Sequence, residues 1–511
     1  MIHQIPLPVQ SVIETLHKAG FEAYAVGGCV RDLILGREPK DWDITTDATP
    51  DKILGIFPDS FYENEFGTVG VKTERFLATT DPSHEPARND SRSDSGRHDI
   101  IEVTTYRTEG LYADKRRPDT VSFTLSLEED LARRDFTINA ITYGHAATGE
   151  WGIVDPFGGQ EDLKKKVIRT VGDPEERFNE DALRLMRAIR FWTELYDPKE
   201  AKETHNWHIE ENTFQAIQKL SKNLEAVSQE RVRDELSRII LSDSPSEGID
   251  MLRKAGLLRF IMPELELGIG VGQNLHHIYT VWEHNLRALA TVPSKKLDVR
   301  LAALLHDVGK PHTKRGDGYH STFYNHDHVG ARIAEKMLTR LRFSKATVKK
   351  ATLLVDNHLF YYNVDEVTEA SVRRLIKRVG LENMDDLMAV RIGDRLGSGV
   401  PKAKPYKLRH LEYMVEKVSK DPVSVKMLAI NGSDLIDGLK IPAGPKIGAI
   451  LDVLLAEVIE DPALNTKEAL LKRADVLKAS DLETLRAQAE EKIEEKRSEE
   501  DKQIKKRHWV E

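Results

Sequence analysis

Hydrophobic and polar positions change their period along the chain, and the change divides it. Residues 8–19 carry the spacing of a short amphipathic helix, 24–26 read as a strand running into Gly27 and Gly28, and a further helix is expected from Val30 to Gly36. Alternation over 42–45 predicts a second strand. Thr49, Pro50 and Asp51 then give an N-cap with proline following, the opening of another helix. Strands are also expected over 68–72 and 100–106. Between them, 79–98 is a run of Asp, Ser, Arg, Pro and Asn with almost nothing apolar, which predicts a mobile surface loop. Beyond 173–174 the periods become long and helical and strand signals disappear, with a break at a Ser/Pro/Asp cluster over 242–247. The expected fold class is α+β: a head with a small mixed sheet, then all-helical regions.

Boundaries are expected near Gly172, near Gly268 and across 397–404, where Gly-Ser-Gly-Val-Pro resembles a linker, giving regions 1–172, 173–267, 268–400 and 401–511. The stretch 481–506 is almost all Glu, Lys, Arg and Gln and predicts an exposed or partly disordered helix. At 511 residues the chain exceeds what one core supports, about 250–300 residues, so several domains are expected. A hydrophobic share of 40% beside 31% charged residues excludes global disorder, a collagen-like chain and a membrane protein. The one cysteine, Cys29, cannot form an internal disulfide, and MIHQIPLPVQ lacks the basic-then-apolar pattern of a secretory signal, so a cytosolic protein without a membrane partner is expected. The net charge of −9 averages over all regions and leaves open a local arginine stripe and a nucleic-acid partner. No protein partner is predicted.

The first chemistry lies at Gly27-Gly28-Cys29-Val30-Arg31-Asp32 followed by Asp41-Trp42-Asp43. Alternate strand residues project to one face, so Asp41 and Asp43 point together, repel each other and need a cation. Hard oxygen ligands with room for phosphate oxygens suit Mg²⁺. The glycines let the backbone approach a triphosphate, and the following helix N-terminus and Arg31 supply positive charge. Taken alone, this is also a tight turn with a solvated acidic strand end. With Thr108-Glu-Gly-Leu-Tyr-Ala-Asp-Lys-Arg-Arg-Pro118 and Arg133-Arg134-Asp135-Phe136-Thr137-Ile138-Asn139-Ala140, the spacing closely resembles the class II nucleotidyltransferases, which include tRNA CCA-adding enzymes and bacterial poly(A) polymerases. The resemblance implies a polymerase-beta-like head, catalytic metals on Asp41 and Asp43, triphosphate contacts at Gly28 and Arg31, and a sugar or phosphate contact at Arg134 with Asp135 nearby. Glu102 is a candidate third carboxylate, weighed equally against a surface strand acid.

The segment 180–191 reads as one helix with Ala182, Leu185, Met186 and Ile189 facing a core and Asp181, Arg184, Arg187 and Arg190 three apart down an adjacent stripe. By itself the stripe is a solvated face with an ordinary Asp181–Arg184 ion pair. Beside a nucleotide site it gains a second meaning. Cytosine and adenine both present an exocyclic amino donor beside a ring-nitrogen acceptor, so one carboxylate and one guanidinium can hydrogen-bond either base, whereas uracil and guanine mismatch. In the resembling family Glu-Asp-x-x-Arg selects CTP and ATP in this way; it matches at Asp181 and Arg184, with Arg187 and Arg190 as further nucleotide contacts. The loop 108–118, with Tyr112, Asp114 and Arg117, is similar to the one that CCA-adding members need for the final A.

Further along stand His284, His306-Asp307, His326, His358 and Asp394, mostly in helical context. His284, His306, Asp307 and Asp394 resemble the ligand set of HD metal-dependent phosphohydrolases, in which a divalent ion activates water, and His326 and His358 match positions that serve a second ion or phosphate. The metal's identity is open. Residues 428–457 are similar to the closing helices of HD-containing CCA-adding enzymes, which implies a tRNA-binding C-terminal region. The expectation is template-independent CCA addition to tRNA 3′ ends from CTP and ATP. The alternatives are a poly(A) polymerase and an HD-type phosphohydrolase acting on tRNA 3′ ends.

Overall fold

A computed structural model of the chain describes residues 5–64, 67–73, 99–110, 121–145, 151–199, 206–273, 278–316, 318–360, 362, 364, 366–399, 404–419, 425 and 428–510. The insert at 79–98, and Tyr112, Asp114 and Arg117 of the 108–118 loop, lie outside the described residues. The chain divides into two compact units, one of residues 1–290 and 295–352 and one of 291–294 and 353–511.

The first unit opens with α1 (Leu7–Lys18), β1 (Ala23–Val26), α2 (Gly28–Ile34), β2 (Asp43–Thr46) and α3 (Pro50–Ile56). Strands β3 (Ser60–Asn64), β4 (Thr68–Thr73) and β5 (Asp99–Thr105) follow, then a separate hairpin of β6 (Arg107–Glu109) and β7 (Val121–Phe123). After α4 (Leu127–Ala132) come β8 (Thr142–His145) and β9 (Trp151–Val154). The seven-stranded sheet runs β3-β4-β5-β2-β1-β8-β9, with β2 and β5 parallel and every other pair antiparallel. Its register explains both faces. Ile44, Val103 and Val69 stand in one row and are fully buried, while the next row, one residue away and so on the opposite face, is Asp43, Glu102, Gly70 and Phe61. Alternation thus drives the apolar row into the core and turns the carboxylates out.

The expected mixed sheet and helical remainder are present, with departures in detail. Beyond α5 (Gly159–Lys165), the two-residue strand β10 (Val167–Ile168) pairs in parallel with β11 (His208–Ile209), so strands do continue past 173; a two-residue ladder is too short to show a period. The single helix expected over 180–191 is two, α6 (Pro174–Glu180) and α7 (Arg184–Glu194). Asp181 lies in the joint, where its Oδ1 accepts the Leu183 backbone N–H at 3.0 Å, a local bond that competes with helix continuation. Ala182, Leu185, Met186 and Ile189 are fully buried as expected. Helices α8 (Glu211–Leu220) and α9 (Gln229–Leu241) complete the region beside α7.

The described part of the second unit is helical, including Glu369–Val379, Met384–Gly397, Tyr406–Ser419, Pro445–Glu460 and Leu482–His508. The charged tail is not simply exposed. Leu485, Ile504 and Val510 are buried, the Tyr413 hydroxyl donates to Asp501, and Arg507 and His508 each approach Glu416 to 2.6 Å. Sparse apolar positions in a charged helix seat it where composition alone suggested solvent. Among the described residues, no helix is long and apolar enough to cross a membrane.

Candidate active site and a second ligand cluster

Gly27 holds φ at +82°, a conformation that L side chains rarely adopt, and a Cβ there would sit 3.2 Å from Arg134 Nη1. This turn starts α2 at the carboxyl end of β1 and brings its backbone to the floor of a cavity of about 700 Å³. Gly28, Arg31, Asp41, Asp43, Arg134, Asp135, Arg187 and Arg190 all line it. Asp41 precedes β2 and Asp43 begins it. Burial pushes the Asp43 carboxyl up, against the pull of Arg134, and Asp41 adds to the rise. Glu102 is the register partner of Asp43; partial burial raises it too, helped by Asp43, Glu63 and Asp41. Asp41 and Asp43 thus crowd one edge of the cavity with Glu102 next to them, while Arg31, Arg134, Arg187 and Arg190 stand on the rest of its wall among further acids such as Asp32, Glu194 and Asp243. Asp41 and Asp43 can hold a divalent cation, with Glu102 beside them, and the crowding is the physical reason to expect one.

The basic wall is built by cross-links. Arg31 Nη1 donates to Asn139 Oδ1 at 2.8 Å, Asn139 Nδ2 donates to Asp135 Oδ1 at 3.2 Å, and Arg187 Nε donates to Asp135 Oδ2 at 2.7 Å. Burial would raise the Asp135 carboxyl, yet Arg187, Arg184 and Asn139 hold it down at about 2. Arg133 Nη2 reaches fully buried Asp130 at 2.7 Å and Arg134 lies 3.6 Å from the same carboxylate. Because the folded pKa of Asp135 lies below its ordinary 3.8, its contribution is complete above that pH and is lost as pH falls toward about 2. Asp135→Asn is therefore expected to cost about 2 kcal/mol at neutral pH and almost nothing at the acid end, read from urea unfolding across that pH range.

The selecting pair is arranged differently from the expected stripe. Asp181 is paired with Arg231 of α9 at 2.7 Å, and Arg184 with Glu180 at 2.6 Å and with the Arg133 carbonyl at 2.9 Å. No Asp181–Arg184 ion pair is formed, because Asp181 sits in the joint before α7. Neither residue is among those lining the cavity, although Arg184 acts electrostatically on Asp135, and Asp181 on Arg187. Arg190 is no solvated arginine: it is 3% exposed, 2.6 Å from Glu235 and 2.9 Å from Glu194. The sequence reading missed Asn139, Asp130, Glu235 and Arg231 as site-building residues. Asn139 stood inside the Arg133–Ala140 motif without a role, and Asp130 left a signal in its three- and four-residue spacing to Arg133 and Arg134.

The histidine cluster of the first unit is fully enclosed. His284, His306 and Asp307 are at most 1% exposed. His284 Nε2 and His306 Nε2 stand 2.9 Å apart, and 3.2 Å and 3.3 Å from Asp307 Oδ2; His326 Nε2 is 3.3 Å from Oδ1. His306 Nδ1 faces the Ala303 carbonyl at 2.8 Å and His326 Nδ1 the Phe323 carbonyl at 2.7 Å. A proton on each Nδ1 leaves the Nε2 lone pairs for a cation, the second-sphere arrangement of metal-binding imidazoles. Lys310 Nζ lies 2.6 Å from Asp307 and donates to Gln273 at 2.6 Å. His358 and Asp394 belong to the second unit. There His358 Nδ1 faces the Val355 carbonyl at 2.7 Å and Asp394 pairs with Arg391 at 2.5 Å.

Comparison with known proteins fits the class that the sheet and cavity suggest. Residues 23–169 match the Poly A polymerase head domain, 206–268 the "Probable RNA and SrmB- binding site of polymerase A", and 328–474 tRNA nucleotidyltransferase domain 2. A CCA-adding enzyme of Geobacillus thermodenitrificans is 31% identical over 465 residues, 90% of this chain and 94% of its own. An A-adding tRNA nucleotidyltransferase of Deinococcus radiodurans is 34% identical over 352 residues, 66% of this chain and 76% of its own. Among solved structures, the CCA-adding enzyme of Bacillus stearothermophilus in complex with CTP superposes with a TM-score of 0.54 at 26% identity, covering 92% of this chain and 97% of that one. The chain belongs to the CCA-adding enzyme family of tRNA nucleotidyltransferases.

Proposed function

We propose that the chain completes tRNA 3′ ends with CCA from CTP and ATP, without a nucleic-acid template. The observation that supports this best is the cavity that joins the glycine turn, Asp41 and Asp43 to a basic wall, in a chain of this family. Asp41 and Asp43 would hold Mg²⁺, which when bound activates the attacking 3′-hydroxyl and offsets charge on the leaving pyrophosphate. Gly28 admits the triphosphate close to the backbone, and Arg31, Arg134 and Arg187 bring positive charge to it. Arg190, tied to two carboxylates, acts through its packing 4.1 Å over the Phe191 ring. Asp181 and Arg184 select C and A over U and G once the base edge takes over hydrogen bonds now made to Arg231 and Glu180. In this reading 1–172 is the head, 173–267 a neck, 268–400 an HD domain and 401–511 a tRNA-binding region.

A second activity, HD-type phosphohydrolysis at tRNA 3′ ends, is supported by the enclosed group of His284, His306 and Asp307 as ligands of a divalent metal, with His326 beside it for a second ion or phosphate. The Deinococcus relative supports a narrower reading of the first, addition of the terminal A alone. The test is incubation with Mg²⁺ and tRNA transcripts ending before CCA or after CC, given CTP, ATP, both or neither, with products sized to one nucleotide. Growth that stops at CCA, and gains U or G in Asp181→Ala, is expected. A-only growth on the CC-ended transcript establishes the narrower reading, and a long A tail makes the chain a poly(A) polymerase.

A further inference from the structure

The sheet face that carries Asp43 does not end at the carboxylates. The row continues through Glu102 and Gly70 to Phe61 on the outermost strand β3, and direct cross-strand partners project to the same side. Three strand spacings separate Asp43 from Phe61, about 14 Å. Phe61 is 37% exposed although it is a large aromatic on a sheet. Its ring tip lies over Gly70, where a Cβ would come within 2.6 Å of Cζ and 2.9 Å of Cε1, so the missing side chain is what lets the ring lie against the strand. Two residues along the same face, Lys72 and Ile100 are partners. The Lys72 ammonium sits 5.9 Å from the Phe61 centroid, and Ile100 is 51% exposed.

An exposed ring, an exposed aliphatic and a lysine on one sheet face offer what unpaired nucleic acid takes: a π-face for a base, apolar contact and a cation for phosphate. A protein partner is the weaker fit, because the patch is small and runs directly into acids that face a nucleotide cavity. A continuous track from that apron to Asp43 matches a strand whose 3′ end is being extended. We infer that Phe61, seated on Gly70 and flanked by Lys72 and Ile100, stacks a base of the unpaired 3′ strand of the RNA primer and so positions its terminal hydroxyl toward Asp43. The inference rests on the proposed nucleotide addition, with Phe61 as a positioning residue.

The test uses the full chain, tRNA transcripts lacking CCA, and the same transcripts with an abasic residue in the unpaired 3′ segment. Phe61→Leu, which keeps an apolar side chain, is expected to raise KM for tRNA about tenfold, the lower range of base–aromatic stacking, and to lower kcat as the hydroxyl loses its position, with the KM for CTP unchanged. Phe61→Trp restores both. The abasic residue should weaken wild type by a similar factor and leave Phe61→Leu almost unaffected, since both remove one stack. Penalties that multiply, an unchanged KM for tRNA, or a change in the KM for CTP instead would each overturn the inference. If wild type adds no nucleotide to any RNA, the proposed function fails while the apron remains testable: fluorescence anisotropy of the same transcripts must still show weaker binding by Phe61→Leu. A matched melting temperature guards against a folding defect.

Discussion

Asp43→Asn is expected to lower nucleotide addition by about a thousandfold or more while leaving the head folded. A carboxylate that holds a catalytic divalent ion is worth several kcal/mol of transition-state stabilisation, and each ~1.4 kcal/mol is a factor of ten. The exchange also removes one negative charge from the crowded edge where burial already raises Asp43 and Glu102. Two readouts separate these effects. Single-turnover addition measures the first. Thermal melting with and without Mg²⁺ measures the second: the ion should stabilise wild type by relieving the repulsion among Asp41, Asp43 and Glu102, and should do far less for the variant. Equal Mg²⁺ stabilisation of both would place the ion elsewhere.

Asp307→Ala is expected to be the most destabilising single change in the first unit, about 3–5 kcal/mol, the usual cost of removing one member of a buried ion pair. Lys310 is 7% exposed and loses its carboxylate, and the two buried Nε2 atoms of His284 and His306 lose the carboxylate oxygen that stands 3.2 Å and 3.3 Å from them. His306→Gln leaves the Lys310–Asp307 pair in place and should cost much less, yet it removes one of the nitrogens proposed to hold a metal. Urea unfolding read against divalent-metal content therefore separates the structural role of the cluster from the proposed metal-binding one. A stable Asp307→Ala protein would show that Lys310 finds another partner.

Residue order carried much of this architecture for an identifiable reason. The glycine turn, the Asp-x-Asp strand start and the buried stripe of Leu185, Met186 and Ile189 are local patterns, and local patterns survive in one dimension. What escaped was set by distance in sequence. Arg231 reaches Asp181 across fifty residues and Asn139 reaches Arg31 across more than a hundred, contacts that no spacing rule encodes. The joint at Asp181 was also hidden, because its side-chain bond to Leu183 outcompetes a helix that the apolar period continues straight through. The tail was misread through composition: a few apolar residues such as Leu485 and Ile504, diluted among charges, decide where the last helix lies.

Cys29 gives this arrangement a built-in chemical reporter. It is the chain's only cysteine, 2% exposed, with its thiol held against the Val26 carbonyl at 3.3 Å and pushed up to about 11 chiefly by burial. A thiol that is both covered and protonated reacts with an alkylating reagent only in the moments when the glycine turn and the strand beneath it come apart. The rate of that labelling converts into an opening free energy for the floor of the cavity, measured in the unmodified protein, and any ligand that closes the cavity slows it.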